Sequence, residues 1–466
     1  MKSQKWLFAG LVGFQVMLLS WTGWAGGYLL PDRGVRAFSR GGAFIVGCDD
    51  LSALWYNPAL LAGQRGTRLH SDLALVNYEM DFQRYLVPEV GLHYPSVSNS
   101  AHPLPDPSLA LSSDFGTQNF GFAAGVYAPY SGWSRFPEDG PQRYAQVRTE
   151  NIAFVVEAAA AWKPMDGLKI GAGLAFFSFF LNDTHATSGF PGVFGQPEDT
   201  DLDGMIQLTG KDTFIPTVIA GLWFTPGPWV AALQGWELGF SLMPGVSVQA
   251  KGQARIRLPE HVYFDSVTVD PQVPGAMGSF DFPWVVRGGI RYRDPRDRFD
   301  IELNTVWEGW SAMKDIRLAP TQPTFYRDLP AMGDMEITES AMKRDFLNTW
   351  SVRLGGSIHP LTWLILRSGG YVETGASPDA YFTVATPDSD KWALSLGCGF
   401  LLGAFEIDLG YMHVFQASRD IPVTRSLVRQ TIPNNPADAT VIGGGSYESR
   451  YDLFGLSLLV HLDDLF

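Results

Sequence analysis

Bulky apolar residues recur at every second position through much of this chain, with small or polar residues between them. From Phe282 to Arg293, Phe282, Trp284, Val286, Ile290 and Tyr292 fall on one face, and Arg287, Gly289 and Arg291 on the other. In the next run Phe299, Ile301, Leu303 and Trp307 oppose Asp300, Glu302 and Asn304; in a third, Trp350, Val352, Leu354 and Ile358 oppose Arg353 and Ser357. A period of two marks an extended strand with two unlike faces. Fourteen such runs are expected, near 66–80, 107–115, 118–128, 150–162, 167–180, 212–224, 235–250, 282–293, 298–310, 347–359, 362–373, 391–402, 404–416 and 447–462; the stretch 235–258 admits a split.

The connections between these runs alternate in length. Short ones are Lys163-Pro-Met-Asp-Gly167, Asp294-Pro-Arg-Asp297, His359-Pro-Leu361 and Leu402-Gly-Ala404, and long ones include 129–149, 181–211, 251–281 and 311–346. A soluble sandwich gives loop length no reason to follow loop parity. An antiparallel up-and-down barrel does, because short turns gather at one rim and long loops at the other. The pattern therefore predicts an all-β fold, a transmembrane barrel of about 14 strands spanning residues 65–466. Lipid then covers the apolar face, and the chain needs no other spanning element, since closure pairs every backbone group.

Composition sharpens the picture. The chain has 466 residues, 46% hydrophobic and only 18% charged, with 50 Gly and 15 Trp. That excludes disorder, and no stretch beyond the N-terminus is long and apolar enough for a spanning helix. A net charge of −14 argues against nucleic acid as a partner. At the N-terminus, Lys2 and Lys5 precede an apolar run from Trp6 to Leu19 and then Gly23-Trp24-Ala25, so residues 1–25 read as a signal peptide and the destination as the outer membrane of a Gram-negative bacterium. The last run, with Phe454, Leu456, Leu458, Val460 and Leu462 on one face, ends at Phe466, the kind of terminal aromatic strand that the barrel-assembly machinery takes as a partner; Asp464 departs from the pattern. In an exported chain a Cys48–Cys398 disulfide is conceivable, but Cys398 shares the apolar outer face with Trp392, Leu394, Leu396 and Phe400, pointing away from the interior.

Between Gly26 and Gln64 the alternation stops. The segment is rich in small residues with Phe38, Phe44, Trp55 and Tyr56, and Asp50 or Ser52 is placed to cap a short helix ending before Pro58. Such a mixture suits a packed insert inside the barrel. The run Arg36-Ala-Phe-Ser-Arg-Gly-Gly-Ala43, then Asp49-Asp50-Leu-Ser-Ala and Asn57-Pro58-Ala59, resembles the N-terminal hatch of the FadL family, outer-membrane transporters of long-chain fatty acids and other hydrophobic compounds. Val306-Trp307-Glu-Gly-Trp310-Ser311, Arg353-Leu-Gly-Gly356, Leu366-Arg367-Ser-Gly-Gly-Tyr371 and Asp408-Leu-Gly-Tyr411 are similar to later strands of that family in the same order; Leu60-Leu61 departs from the glycine that usually follows Asn-Pro-Ala. The resemblance implies a fourteen-stranded barrel with residues 26–64 as a lumenal plug. It also implies a ligand that binds among outer loops, enters an apolar pocket, displaces the hatch near Asn57, Pro58 and Ala59, and leaves sideways through the wall.

Catalytic patterns are missing: the eight histidines are scattered, and the sequence has no G-x-S-x-G elbow, Walker loop or C-x-x-C pair. No enzyme activity, cofactor or metal is expected, and a monomer suffices. Alternation turns Glu157, Arg287, Arg291, Glu302, Glu308, Arg353, Arg367, Glu406 and Asp408 towards the lumen. An arginine there can hold a ligand carboxylate through two parallel hydrogen bonds, which makes Arg287 and Arg353 candidate head-group contacts. Alternatively, the arginines neutralise the neighbouring acids, because isolated buried charges are costly. Finally, Phe176, Phe177, Phe179 and Phe180 precede a long loop and begin an apolar ligand groove, belong to the aromatic girdle at the membrane interface, or do both, because residues of opposite parity face different ways. A polar diffusion porin and an aromatic-hydrocarbon transporter of the same fold are the competing readings.

Overall fold

The computed structural model describes residues 32–88, 90–189, 198–329, 333–430 and 439–465. The expected signal peptide (1–25), the start of the expected 26–64 plug and Phe466 lie outside the described residues.

Fourteen antiparallel strands close into one barrel. They are β1 (Thr67–Arg84), β2 (Leu104–Ser113), β3 (Phe120–Arg135), β4 (Arg148–Met165), β5 (Leu168–Ser188), β6 (Asp203–Phe224), β7 (Trp236–Met243 continued by Val246–Arg257), β8 (Gly275–Phe282 continued by Val285–Arg293) and β9 (Phe299–Glu308, resumed at Asp315–Pro320). After these come β10 (Ser340–Lys343 resumed at Thr349–Leu361), β11 (Leu364–Glu373), β12 (Lys391–Leu402), β13 (Phe405–Gln416) and β14 (Gly445–His461). Closure is by β1 and β14, in register from Arg68↔His461 to Arg84↔Gly445.

Every run expected from the alternation is a strand, and the stretch 235–258 is split at Pro244-Gly245. The strands differ from the expectation chiefly at the long-loop rim. There β5 and β6 continue pairing up to Ser188↔Asp203, well beyond the apolar band. Past the lipid the ladder still satisfies backbone groups, but outward positions such as Thr184, Gln207 and Thr209 become polar and the periodic signal vanishes. Lipid-facing residues are the exposed apolar ones, among them Leu73, Leu75, Val156, Leu174, Leu222, Phe240, Leu394 and Phe454.

Residues 32–64 lie within the barrel, buried throughout except for Gly34, Asp49, Ser52 and Gly63. Two single-turn helices, α1 (Val35–Phe38) and α2 (Ala53–Tyr56), and a 3-10 turn, Pro58–Gly63, are its regular parts. Asp50 starts α2 by accepting the Ser52 N–H at 2.8 Å, while the Ser52 hydroxyl makes no cap. Both cysteines are unpaired, Cys48 buried in the insert and Cys398 on the barrel wall.

Candidate functional site

Glycines on the strands make room for the insert. Gly171 of β5 and Gly221 of β6 are cross-strand partners, and a Cβ on either would strike Asn57, Pro58 or Ala59. Into that recess Asn57 sends Nδ2 to the carbonyls of Ile45 and Leu222, both at 3.0 Å, while its Oδ1 accepts the Ala59 N–H at 3.2 Å. The Asn-Pro-Ala tripeptide thus ties the insert to itself and to the wall. Leu60 and Leu61, the departure from the family pattern, are buried in the turn that follows. A second glycine pair, Gly355 and Gly369, receives the Arg40 backbone; a row of three, Gly397, Gly410 and Gly455, receives Phe38 and Ser39.

Charge completes the attachment. Arg33, Arg36 and Arg40, spaced three and four residues apart, each reach the acids of a different strand. Arg33 meets Asp106 of β2 at 3.0 Å, Arg36 meets Glu406 and Asp408 of β13 at 2.5 and 2.7 Å, and Arg40 meets Asp300 and Glu302 of β9 at 2.5 and 3.3 Å. Arg353 of β10 runs the other way, holding Asp32 at 2.6 Å and Glu373 at 2.9 Å. Glu373 in turn faces Lys391, which reaches Asp388 in an outer loop at 3.0 Å. A buried series of alternating charges therefore runs from that loop through Arg353 and Asp32 to the start of the insert. Burial pushes the Asp32 carboxyl up to about 6 despite the guanidinium beside it, and burial likewise raises Asp388 to about 6 against the pull of Lys391.

All nine lumen-facing charges expected from alternation point inward. Of the two candidate head-group arginines, Arg353 is saturated by acids. Arg287 is buried with no carboxylate within 4.0 Å among the described residues; its guanidinium lies 4.5 Å over the Trp55 ring and donates to Ser241 Oγ at 3.4 Å. Around it stands an aromatic chamber. Tyr130 stacks on Phe282 at 4.2 Å, Phe179 meets Phe280 at 5.0 Å edge-on, and Trp310, from the W-x-x-W-S stretch, contacts Tyr130 and Phe346. Tyr127 donates to Glu157 at 2.5 Å, while the second oxygen of Glu157 and the Tyr130 hydroxyl are buried with no partner among the described residues. The four candidate groove phenylalanines do not share one surface. Phe177 and Phe179 are buried in this chamber, Phe180 is exposed on the lipid side, and Phe176 follows the outward parity of Phe180.

The wall is parted beside the chamber, and the sequence reading passed over the cause. The β2–β3 ladder runs only from Leu109↔Val126 to Ser113↔Phe122. Above it Pro103, Pro105 and Pro107 recur at every second residue, while β2 stays paired to β1 up to Leu104↔Val76. Proline has no N–H to give, so the edge without donors is the one turned to β3. On β3 the register shifts between Tyr127 and Tyr130, across Ala128-Pro129. Higher still the strands meet again, with the Trp133 indole donating to the His102 carbonyl at 3.0 Å. A cavity of about 80 Å³ lies there, lined by Leu104 and His102 of the β2 edge, Ser131 and Trp133 of β3, and the 384–388 loop that carries Asp388.

Comparison with known proteins accords with this geometry. A profile of the family described as outer membrane protein transport protein (OMPP1/FadL/TodX) matches residues 16–443. Among solved structures, a Pseudomonas aeruginosa FadL homologue is similar at 16% identity with a TM-score of 0.76, covering 94% of this chain and 100% of its own. The Ralstonia pickettii toluene transporter TbuX is similar at 14% identity and TM-score 0.62, covering 92% and 98%. For the P. putida toluene transporter TodX the values are 13% and 0.64, covering 92% and 99%. At these identities the likeness is one of fold. Comparison with curated protein sequences returns no match.

Proposed function

This chain belongs to the OMPP1/FadL/TodX family of outer membrane transport proteins, which carry hydrophobic compounds, and from that premise we propose that it takes up long-chain fatty acids and releases them sideways through the β2–β3 seam. The observation that carries this reading is the break in the wall, with a cavity at it and an aromatic lumen beside it that the buried insert packs against. An apolar solute gains nothing by crossing open water and leaves most readily where the wall is unpaired. Arg287 supports a carboxylate head group, because it is the chamber cation without an acid. Trp55 of the insert covers its face, so withdrawal of residues around Asn57-Pro58-Ala59 would free it for the ligand. The aromatic lining supports a second ligand class, monoaromatic hydrocarbons, for which the head-group cation would be idle.

Cysteines placed at Leu104 and Ser131 test the route. Cross-linking them should abolish uptake of labelled oleate, and a reductant should restore it. Unchanged uptake in the cross-linked protein would sink the lateral route.

A further inference from the structure

The wall has a second weak line, between β6 and β7. These strands pair from Met205↔Arg257 to Lys211↔Lys251 and again from Ala220↔Leu242 to Phe224↔Leu238, with the ladder interrupted between. The cause is a loss of phase. On β6 the outward positions are even-numbered from Phe224 down to Phe214, and then odd at Lys211. On β7 they are even through Phe240 and odd from Ser247 onward, the change falling at Pro244-Gly245. The two changes sit at different heights, so between them an outward residue on one strand faces an inward one on the other. Such strands cannot share a ladder.

Two side-chain bonds cross the interruption, Asp212 accepting the Gln249 N–H at 2.7 Å and the Thr217 hydroxyl donating to the Pro244 carbonyl at 3.5 Å. Phe214, at φ 60° and 71% exposed, is thrown outward into lipid in a backbone conformation that a bulky residue rarely adopts. Directly behind the interruption lie Met243, Val246 and Val248, all part of the aromatic chamber's core.

The rim above is cationic. Lys211 and Lys251 are directly opposite one another, level with lipid-facing Phe180, and Arg255 follows two rows higher; all three are exposed. Like charges directly across a strand pair repel, and among the described residues none of the three has an ion pair. In a chain of net charge −14, this unpaired group at the top of the apolar band matches the head-group level of the outer leaflet.

We infer that the β6–β7 interruption is a membrane-facing entry window through which a single-chain fatty acid passes from the outer leaflet into the chamber, its carboxylate first held at the rim by Lys211, Lys251 and Arg255. This rests on the proposed transport role and adds an entry port to it, the β2–β3 seam remaining the exit. The test uses the full-length Leu104→Cys/Ser131→Cys protein, cross-linked so that the β2–β3 seam is shut, in phosphatidylcholine vesicles containing a photoreactive fatty acid. Labelling of Met243, Val246 or Phe282 is expected, reduced about tenfold or more by Lys211→Gln/Lys251→Gln and unchanged by Lys163→Gln at the opposite rim. A lumen that stays unlabelled overturns the inference, as does labelling indifferent to the double substitution. Dependence of a two-chain phospholipid probe, but not the fatty acid, on the two lysines would also overturn it. Failure of the transport reading is read separately, in unchanged oleate uptake when the seam alone is locked.

Discussion

Arg287 and Arg353 look alike in sequence, each an inward residue on a strand of alternating character. Their partners separate them. Arg353 is tied to Asp32 and Glu373, whereas Arg287 rests on an indole ring and a serine hydroxyl. A charge-assisted hydrogen bond contributes about 1.5–3 kcal/mol, so Arg287→Gln should weaken fatty-acid binding by roughly tenfold to a hundredfold and leave toluene binding unaltered, as read by equilibrium binding of the two ligands. Asp32 gives a pH signature. Its carboxyl sits at about 6 when the insert is docked, against an ordinary value of 3.8, so the docked form holds a proton that the undocked form has released in between. Docking is therefore expected to strengthen as pH falls from about 6 towards 3.8, and to be weakest above 6. Limited proteolysis of the insert across that range should show this trend, and Asp32→Asn should flatten it. Alternation alone revealed which side chains face inward. It carried no information on which acid each arginine meets, because contacts such as Arg40–Asp300 and Arg36–Asp408 join residues 260 and 372 positions apart.

The insert shows what an element without regular structure needs in order to stay in place. Its helices are single turns, too short to hold themselves, and its position comes from glycine recesses and arginine anchors. Removing one partner of a buried ion pair leaves the other charge uncompensated, at a cost of about 3–5 kcal/mol. Arg40→Ala should therefore loosen the insert, increasing its hydrogen exchange while the barrel strands remain protected. Gly221→Ala should act at the other end by expelling Asn57 from its recess, with the same readout. The fourteen strands were legible because lipid imposes a strict period of two on them. The glycine pairs and the Pro103-Pro105-Pro107 series were equally visible as letters, but their meaning depends on strand register, which sets the glycines side by side across neighbouring strands. Phe176 to Phe180 admitted both a groove and a girdle by parity, and the pleat divides them accordingly, with Phe177 and Phe179 in the lumen and Phe180 in lipid.

At the scale of the whole molecule, the insert separates this barrel from a diffusion porin. With residues 32–64 buried in the lumen, the intact protein should pass little steady ion current in planar bilayers, and deletion of those residues should produce a large one. A large current from the intact protein would instead favour a polar pore. The β2–β3 seam also bears on how such barrels coexist. A parted wall in hydrocarbon would ordinarily leave N–H groups without partners, at several kcal/mol each, and would offer a free edge to any strand nearby. Proline at positions 103, 105 and 107 lessens both problems on the β2 edge. That edge can stand unpaired in the bilayer with fewer orphaned donors, and it offers a neighbouring barrel little with which to zip into a shared sheet.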